Sequence, residues 1–271
     1  MNHSSEHAIL IVTHNHSGYI SKLIDSCREI KHIKKYICDA ASTDGTDLLL
    51  EAAIRDDDSF ELIKKSELEG FSKNNNDLVR EFFLQGKNLI LINPDCYFEK
   101  DSLLKFLDTI STLEELGVAA PTLHYQNGVI QNSWRRFPSF WGFVKNRFSK
   151  SKATTNNHIL REIKRDIFEI EWALGAFLYI SSTLTKQPPL DERYRLYCED
   201  SDICMKAHSL GLKVIGINIP GFYHALQEKS STKLLSKYNY WNICSGFLFA
   251  AKWNATYLKI NGTLKRKMSV T

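Results

Sequence analysis

The sequence predicts an α/β protein with a doubly wound, mostly parallel central sheet flanked by helices. Aliphatic runs recur at Ala8-Ile9-Leu10-Ile11-Val12, Tyr36-Ile37-Cys38 and Leu89-Ile90-Leu91-Ile92. They are continuous and do not alternate with polar residues, as in strands covered on both faces. Segments with apolar residues at helical spacing lie between them, and strand–helix alternation at this pitch implies parallel crossovers. The runs also end in polar turns carrying carboxylates, where open α/β sheets bind their ligands.

The elements follow in order. Ala8 to Thr13 reads as the first strand, His14-Asn15-His16-Ser17-Gly18 as a turn, and Tyr19 to Ile30 as a helix. Lys35 to Asp39 is the second strand. Ala41 to Asp47 is a loop opening a helix, with Asp44 and the hydroxyls as cap candidates. Phe60 to Ile63 is a short third strand, and Glu69 to Asn76 turns into a helix reaching about Leu84. The Leu89 run is bounded by Gly86 and Pro94, and Asp95 follows it. Asn93-Pro94-Asp95 is good turn chemistry, and a carboxylate there can also hold a divalent cation against diphosphate oxygens. Ser102 to Leu116 reads as a helix, Gly117 to Pro121 as a strand, and Ile167 to Ile180 as two strands around Gly175. Glu199-Asp200-Ser201-Asp202 begins a helix that Gly211 closes after Leu210. Lys213 to Ile217 is another strand, with His224 beyond it. The chain from Thr232 is helical and aromatic, ending in the basic run Lys265-Arg266-Lys267.

Composition bounds the function. With 43% hydrophobic and 24% charged residues and a net charge of +4, the chain is ordinary for a globular protein and gives no electrostatic case for nucleic acid. Gln131 to Asp166 interleaves aromatic and basic residues, but a loop beside an anionic substrate accounts for that as well as base stacking does. The six cysteines form no Cys-x-x-Cys pair and read as small buried hydrophobes in a reducing compartment. No signal peptide or membrane-spanning run is evident, so a cytoplasmic location is expected. The first turn lacks Gly-x-Gly-x-x-Gly, which argues against a dinucleotide-binding dehydrogenase. There is no repeat, low-complexity tract or linker.

A set of motifs runs through this frame: Val12-Thr13-His14-Asn15, Asp39 to Thr46, Gly70-Phe71 with Asn75, and Asn93-Pro94-Asp95. It continues with Trp172, Gly175 and Ala176, then Asp191-Glu192, Tyr197 to Cys204, and His224. In order and approximate spacing, over about residues 8 to 230, the chain resembles a family 2 glycosyltransferase of the GT-A fold, in its rhamnosyltransferase-like branch. The resemblance implies a GT-A domain over residues 1–230, with a nucleotide-sugar half (8–121) and an acceptor-side catalytic half (122–230). A basic helical tail (231–271) follows. It implies donor contacts from Thr13, Asn15, Asp39, Gly70, Phe71, Asn75, Asn93, Trp172 and Gly175. Asp95 and His224 would hold Mg²⁺ or Mn²⁺, and Asp200 would be the general base of an inverting transfer. The implied partners are a nucleoside-diphosphate sugar, dTDP-rhamnose or a UDP-sugar, and a glycan acceptor of surface-polysaccharide synthesis, lipid-linked at the inner face of the plasma membrane.

Each residue has a plainer alternative. Asp39 can be a strand-end acid, Asp44 a helix cap, Gly70 a turn glycine, His224 a structural histidine and Asp200 a first-turn acid favouring the helix dipole. Two departures from the family pattern stand out: Ala40 follows Asp39 where Asn is common, and Pro188-Pro189-Leu190 replaces Gly-Gly-Phe. A sugar nucleotidyltransferase would place a glycine-rich basic loop after the first strand, and His14 to Gly18 is not one. A non-catalytic subunit of the same fold has no need to keep Asp95, Asp200 and His224. The aromatic residues from Tyr238 to Trp253 and the basic residues beyond them suggest either contact with an anionic membrane or a helix packed on the domain.

Overall fold

His7–Thr13 (β1) is buried along its whole length, so both of its faces must be covered, and it lies inside the sheet. It pairs in parallel with Lys34–Ala40 (β2) on one side and Asn88–Ile92 (β4) on the other. Phe60–Lys65 (β3) continues the parallel order beyond β2. The computed structural model describes residues 6–137, 165–225 and 237–269, with the side chains of the last helix described for 238–257.

The complete sheet has eight strands in the order β3-β2-β1-β4-β10-β6-β11-β8. Its second half comprises Leu116–Pro121 (β6), Ile167–Glu169 (β8), Phe177–Ile180 (β10) and Lys213–Ile217 (β11). β10 inserts antiparallel between β4 and β6, and β8 runs antiparallel on the edge beside β11. The sheet is therefore mostly parallel, as predicted, with two reversals that periodicity does not reveal. Two short ribbons lie apart from it. Cys96–Phe98 (β5) pairs with Phe222–His224 (β12), and Trp134–Arg135 (β7) pairs with Trp172–Ala173 (β9).

Alternation along the strands divides the core into two layers. Ile9, Ile11, Ile90 and Ile92 face one layer, covered by Ile20–Arg28 (α1), Thr46–Ile54 (α2) and Lys100–Ser111 (α4) through residues such as Leu23, Leu50 and Phe106. Ala8, Leu10, Leu89 and Leu91 face the other, covered by Phe71–Glu81 (α3) and Glu199–Ser209 (α5) through Leu78, Val79, Ile203 and Met205. Each fully buried aliphatic side chain contributes about 1.5–3 kcal/mol, which is why these runs carry no polar residue. Gly211, at φ +77°, follows the end of α5 as predicted.

The C-terminal segment Lys237–Ser269 is one long helix (α6). Phe249, Trp253 and Tyr257 pack it onto the second layer, the packed-helix alternative for this part of the tail. No helix among the described residues is long and apolar enough to cross a membrane. All six cysteines are free; Cys27, Cys38, Cys96 and Cys204 are buried, whereas Cys244 lies exposed on α6 and so differs from the expectation. The aromatic and basic residues from 138 to 164 fall outside the described residues.

Candidate active site

The turns after β1 and β2 are sewn together by side chains. Thr13 Oγ1 donates to Asp39 Oδ1 (2.8 Å), and Ser42 donates to the same carboxylate through its backbone N–H (2.9 Å) and its hydroxyl (2.6 Å). Asn15, in the left-handed region at φ 57°, accepts from the Thr43 N–H (2.7 Å). Asp44 accepts from the N–H of Thr46, the first residue of α2, and from that of Ser17 (both 3.1 Å). Asp39, Asn15 and Asp44 thus fix the loops, while Thr13, His14, His16 and Ala40 line a cavity of about 530 Å³ at the carboxyl end of the sheet.

Across the cavity the strand end after β4 is both a turn and a ligand site. The Asn93 carbonyl accepts from the Cys96 N–H (3.0 Å), closing the turn, and Asp95 is buried against the cavity wall. The β5–β12 ribbon brings His224 from far along the chain, so that its Nε2 lies 3.4 Å from Asp95 Oδ1. His224 Nδ1 stands 2.7 Å from Gln131 Oε1. An amide oxygen only accepts, so Nδ1 carries a proton, and Nε2 is the ring nitrogen turned to Asp95. Burial opposes ionisation of Asp95, but the His224 ring, with help from His16, holds its carboxyl below the ordinary range. The pair fits a hard divalent cation: oxygen and imidazole ligands on adjacent corners of an octahedron with ~2.1 Å bonds stand about 3 Å apart. Cys96 is close to both; its Sγ donates to the Ala176 carbonyl (3.3 Å), and a hard cation prefers the oxygen and imidazole ligands.

The third side of the cavity is the start of α5. Tyr197 and Cys198 both adopt left-handed backbone conformations, at φ 72° and 66°. Such geometry costs about 1–3 kcal/mol per non-glycine residue and persists only where neighbours enforce it. Here the Phe71 N–H donates to the Arg195 carbonyl (2.8 Å) and Ser245 Oγ to the Leu196 carbonyl (2.9 Å). Gly70 is required by the same loop, since a Cβ there would stand 2.9 Å from Arg195 Cα. The turn aims Asp200 into the cavity. Its carboxylate accepts from the Gly175 N–H (3.0 Å) and the Ser201 N–H (2.7 Å). Burial raises the Asp200 carboxyl despite these bonds and the Arg135 charge. Glu199 is raised too, by burial and then by Asp200, and among the described residues its buried Oε2 has no hydrogen-bond partner.

Of the residues anticipated from sequence, Thr13, Phe71, Asn93, Asp95, Trp172, Gly175, Asp200 and His224 share this one cavity. Asn75 turns its amide back onto the Phe71 carbonyl (3.0 Å), and the neighbouring Asn74 joins the lining instead. Sequence reading set the aromatic–basic segment that contains Arg135 beside an anionic substrate but did not single out the individual cations. Arg135 lies over Trp172 at 5.2 Å and Arg195 over Trp241 at 5.0 Å, and both line the cavity with His14 and His16. Trp134-Arg135-Arg136 was a visible signal, but it lay within a segment with no recognisable period. The Leu190 region, where the family pattern breaks, is held to α3 by reciprocal bonds with the Asn76 amide (2.7 and 3.2 Å).

Comparison with known proteins gives the family and the fold. The family model described as glycosyl transferase family 2 matches residues 8–170. The chain belongs to that family. It is a glycosyltransferase, and it is similar to the rhamnosyltransferase WbbL of Escherichia coli, with 25% identity over 260 residues covering 90% of this chain and 92% of that one. Among solved structures it resembles the mannosyltransferase PcManGT from Pyrobaculum calidifontis, in complex with GDP-Man and Mn²⁺. The TM-score is 0.57 and the identity 14%, over 91% of this chain and 64% of that one. It also resembles GalNAc-T7 with UDP, GalNAc and Mn²⁺, with TM-score 0.57 and 14% identity over 82% of this chain and 44% of that one. The chain thus spans under two thirds of these structural neighbours, which share its GT-A fold.

One buried cluster ties this glycosyltransferase's last helix to its site. Asp202, two residues beyond Asp200, accepts from Tyr194 Oη (3.0 Å), Trp253 Nε1 (2.6 Å) and Lys252 Nζ (2.8 Å). Lys252 also bridges to Asp191 (2.9 Å). Removing one partner of a buried ion pair costs about 3–5 kcal/mol. Because the Lys252 side chain is 25% exposed, Lys252→Met should lose stability at the lower end of that range in urea melts. A loss near zero would show that the cluster does not hold α6.

Proposed function

We propose that this chain is an inverting glycosyltransferase that moves a sugar from a nucleoside-diphosphate donor to a hydroxyl of a glycan acceptor, with Asp200 as general base. The observation that carries this reading is that Asp200 and the Asp95–His224 pair open onto one cavity from different walls. Direct displacement needs that arrangement: a carboxylate near the incoming hydroxyl and a cationic centre near the departing diphosphate. Asp95 and His224 would hold Mg²⁺ or Mn²⁺, which when bound neutralises the charge gathering on the leaving diphosphate. Thr13, Ala40 and the loops fixed by Asp39 and Asn15 would seat the nucleoside. Asp200 takes the acceptor proton as the acceptor oxygen bonds to the anomeric carbon. The bond to the diphosphate oxygen breaks on the opposite face, so the anomeric configuration inverts. Similarity to a rhamnosyltransferase over nearly the whole chain favours a deoxysugar donor of the dTDP-rhamnose type and an acceptor in surface-polysaccharide synthesis.

Asp200→Asn should bind donor nearly as well as wild type yet transfer sugar about 10²–10⁴-fold more slowly. A base works deprotonated, and burial raises this one. The acid limb of kcat should therefore lie above the ordinary carboxylate range, with transfer increasing as pH rises through it. Rapid turnover by the variant, or a product of retained configuration by NMR, refutes the assignment.

Binding of the nucleoside diphosphate should weaken with EDTA, recover with Mn²⁺, and lose this dependence in Asp95→Ala. Calorimetry showing equal affinity with and without chelator in the wild type contradicts the metal role.

A lipid-linked acceptor would bring α6 to a membrane surface. Its outward residues Tyr240 and Phe247 are exposed, and basic residues near anionic lipid contribute about 1 kcal/mol each. Deleting residues 258–271, which spares the packed part of the helix, should abolish co-sedimentation with anionic vesicles. Unchanged sedimentation rules this contact out.

A further inference from the structure

His224 lines the cavity, but the residue that holds its ring is not part of that lining. Gln131 is 5% exposed, and its Oε1 stands 2.7 Å from His224 Nδ1. The two residues are 93 apart in the chain and meet through one short piece of backbone. The His124 N–H donates to the Phe222 carbonyl, and the His224 N–H to the His124 carbonyl (both 2.9 Å). The Gln131 N–H donates to the Leu123 carbonyl (2.7 Å), and the Ser133 N–H to the Gln131 carbonyl (2.8 Å). Leu123-His124 thus ties down both backbones and sets the amide opposite the ring.

Packing alone does not explain a glutamine here. Among the described residues its side chain makes one hydrogen bond, to His224, and its buried Nε2 has no partner. A buried amide with one half unpaired is less favourable than an apolar side chain of the same length. What remains to account for the residue is the effect of its oxygen on His224.

Two acceptors compete for the ring's protons. Asp95 Oδ1, 3.4 Å from Nε2, belongs to a carboxylate and is the stronger of the two. A neutral imidazole with no acceptor at Nδ1 would place its one proton on Nε2, facing Asp95, and the pair would close on itself. Gln131 opposes this. While its oxygen accepts from Nδ1–H, a neutral ring has Nε2 bare, and Nε2 and Asp95 can serve one cation together.

Resting on the reading above, in which Asp95 and His224 hold a divalent cation, we propose that Gln131 is the positioning residue of that site. Its amide oxygen keeps the proton on His224 Nδ1 and so leaves Nε2 to the cation. Gln131 itself touches neither cation nor substrate, and its effect passes through His224.

The test compares wild type, Gln131→Met and Gln131→Glu. Methionine keeps the length without the carbonyl oxygen, whereas glutamate keeps an oxygen acceptor. Each is read by urea melts, by nitrogen NMR of the His224 ring and by calorimetry of Mn²⁺ with dTDP or UDP present. The NMR uses metal-free protein at a pH where the ring is neutral, with His224 assigned against His224→Asn. Nδ1 should carry the proton in wild type and in Gln131→Glu. In Gln131→Met the proton should move to Nε2 and Mn²⁺ affinity should fall about 10–100-fold. Its melt should stay close to wild type, because the unpaired N–H leaves together with the oxygen. Gln131→Glu should keep most of the wild-type affinity. A bare Nδ1 in the wild type overturns the proposal, as does wild-type Mn²⁺ affinity in Gln131→Met. So does an equal loss in both variants, which would mean that only the shape of glutamine matters. Should Gln131→Met fail to fold, the wild-type ring and Gln131→Glu still decide. A wild type that binds neither nucleotide is a different result, and it removes the glycosyl-transfer reading whatever the state of the ring.

Discussion

The carboxylate of Asp202 makes no contact with the cavity, yet the site's shape depends on it. Taking a carboxylate out of water is tolerable only when its lone pairs are filled. Here a phenol, an indole and an ammonium from two separate stretches of chain fill them. Once Asp202 is satisfied in this way, α6 has one place to sit. The left-handed Tyr197-Cys198 turn is pinned between α3 and α6, and Asp200 has one direction to face. A local electrostatic requirement thus sets the relation between the turn carrying Asp200 and the cavity wall.

The two carboxylates of the cavity are tuned in opposite senses. Asp95 sits in a buried cleft with an imidazole beside it and is held ionised. Asp200 has two backbone N–H donors, the Ser201 hydroxyl at 3.3 Å and a more distant guanidinium, yet burial dominates and its carboxyl is raised. Two like side chains in different surroundings thus lean opposite ways, which suits the cation-holding and proton-accepting roles proposed for them.

β1, β2 and β4 were legible because each is largely covered on both faces, and a continuous aliphatic run has few other uses. Asp95 was legible for a related reason, as the first charged side chain after such a run. β10 was visible as a strand, but its reversal was not, since an antiparallel strand inside a sheet needs the same Val, Ile and Leu as a parallel one. The β5–β12 ribbon, which delivers His224 to Asp95, is three residues on each side. That is too short for a period to show. Asp39 and Asn15 were read as ligand-facing, whereas their side chains bind neighbouring loops. A strand-end polar group serves either purpose with the same residue. Packing of α6 on the domain was one of the two readings its aromatic residues allowed, but its ties to Asp202 and to the Leu196 carbonyl were not legible, because Ser245, Lys252 and Trp253 show no apolar period.

Among the described elements α6 comes last, and this bears on how the protein is made. A chain synthesised from its N-terminus has every strand of the sheet available before Lys252 and Trp253 exist. Until they arrive, the Asp202 carboxylate lacks two of its three donors, and the strained turn beside it lacks the Ser245 hydrogen bond. The sheet can form during synthesis, but the turn carrying Asp200 has no reason to hold its final shape until α6 docks. Assembly of the cavity is therefore a late, all-or-none event, separable in time from assembly of the sheet that frames it.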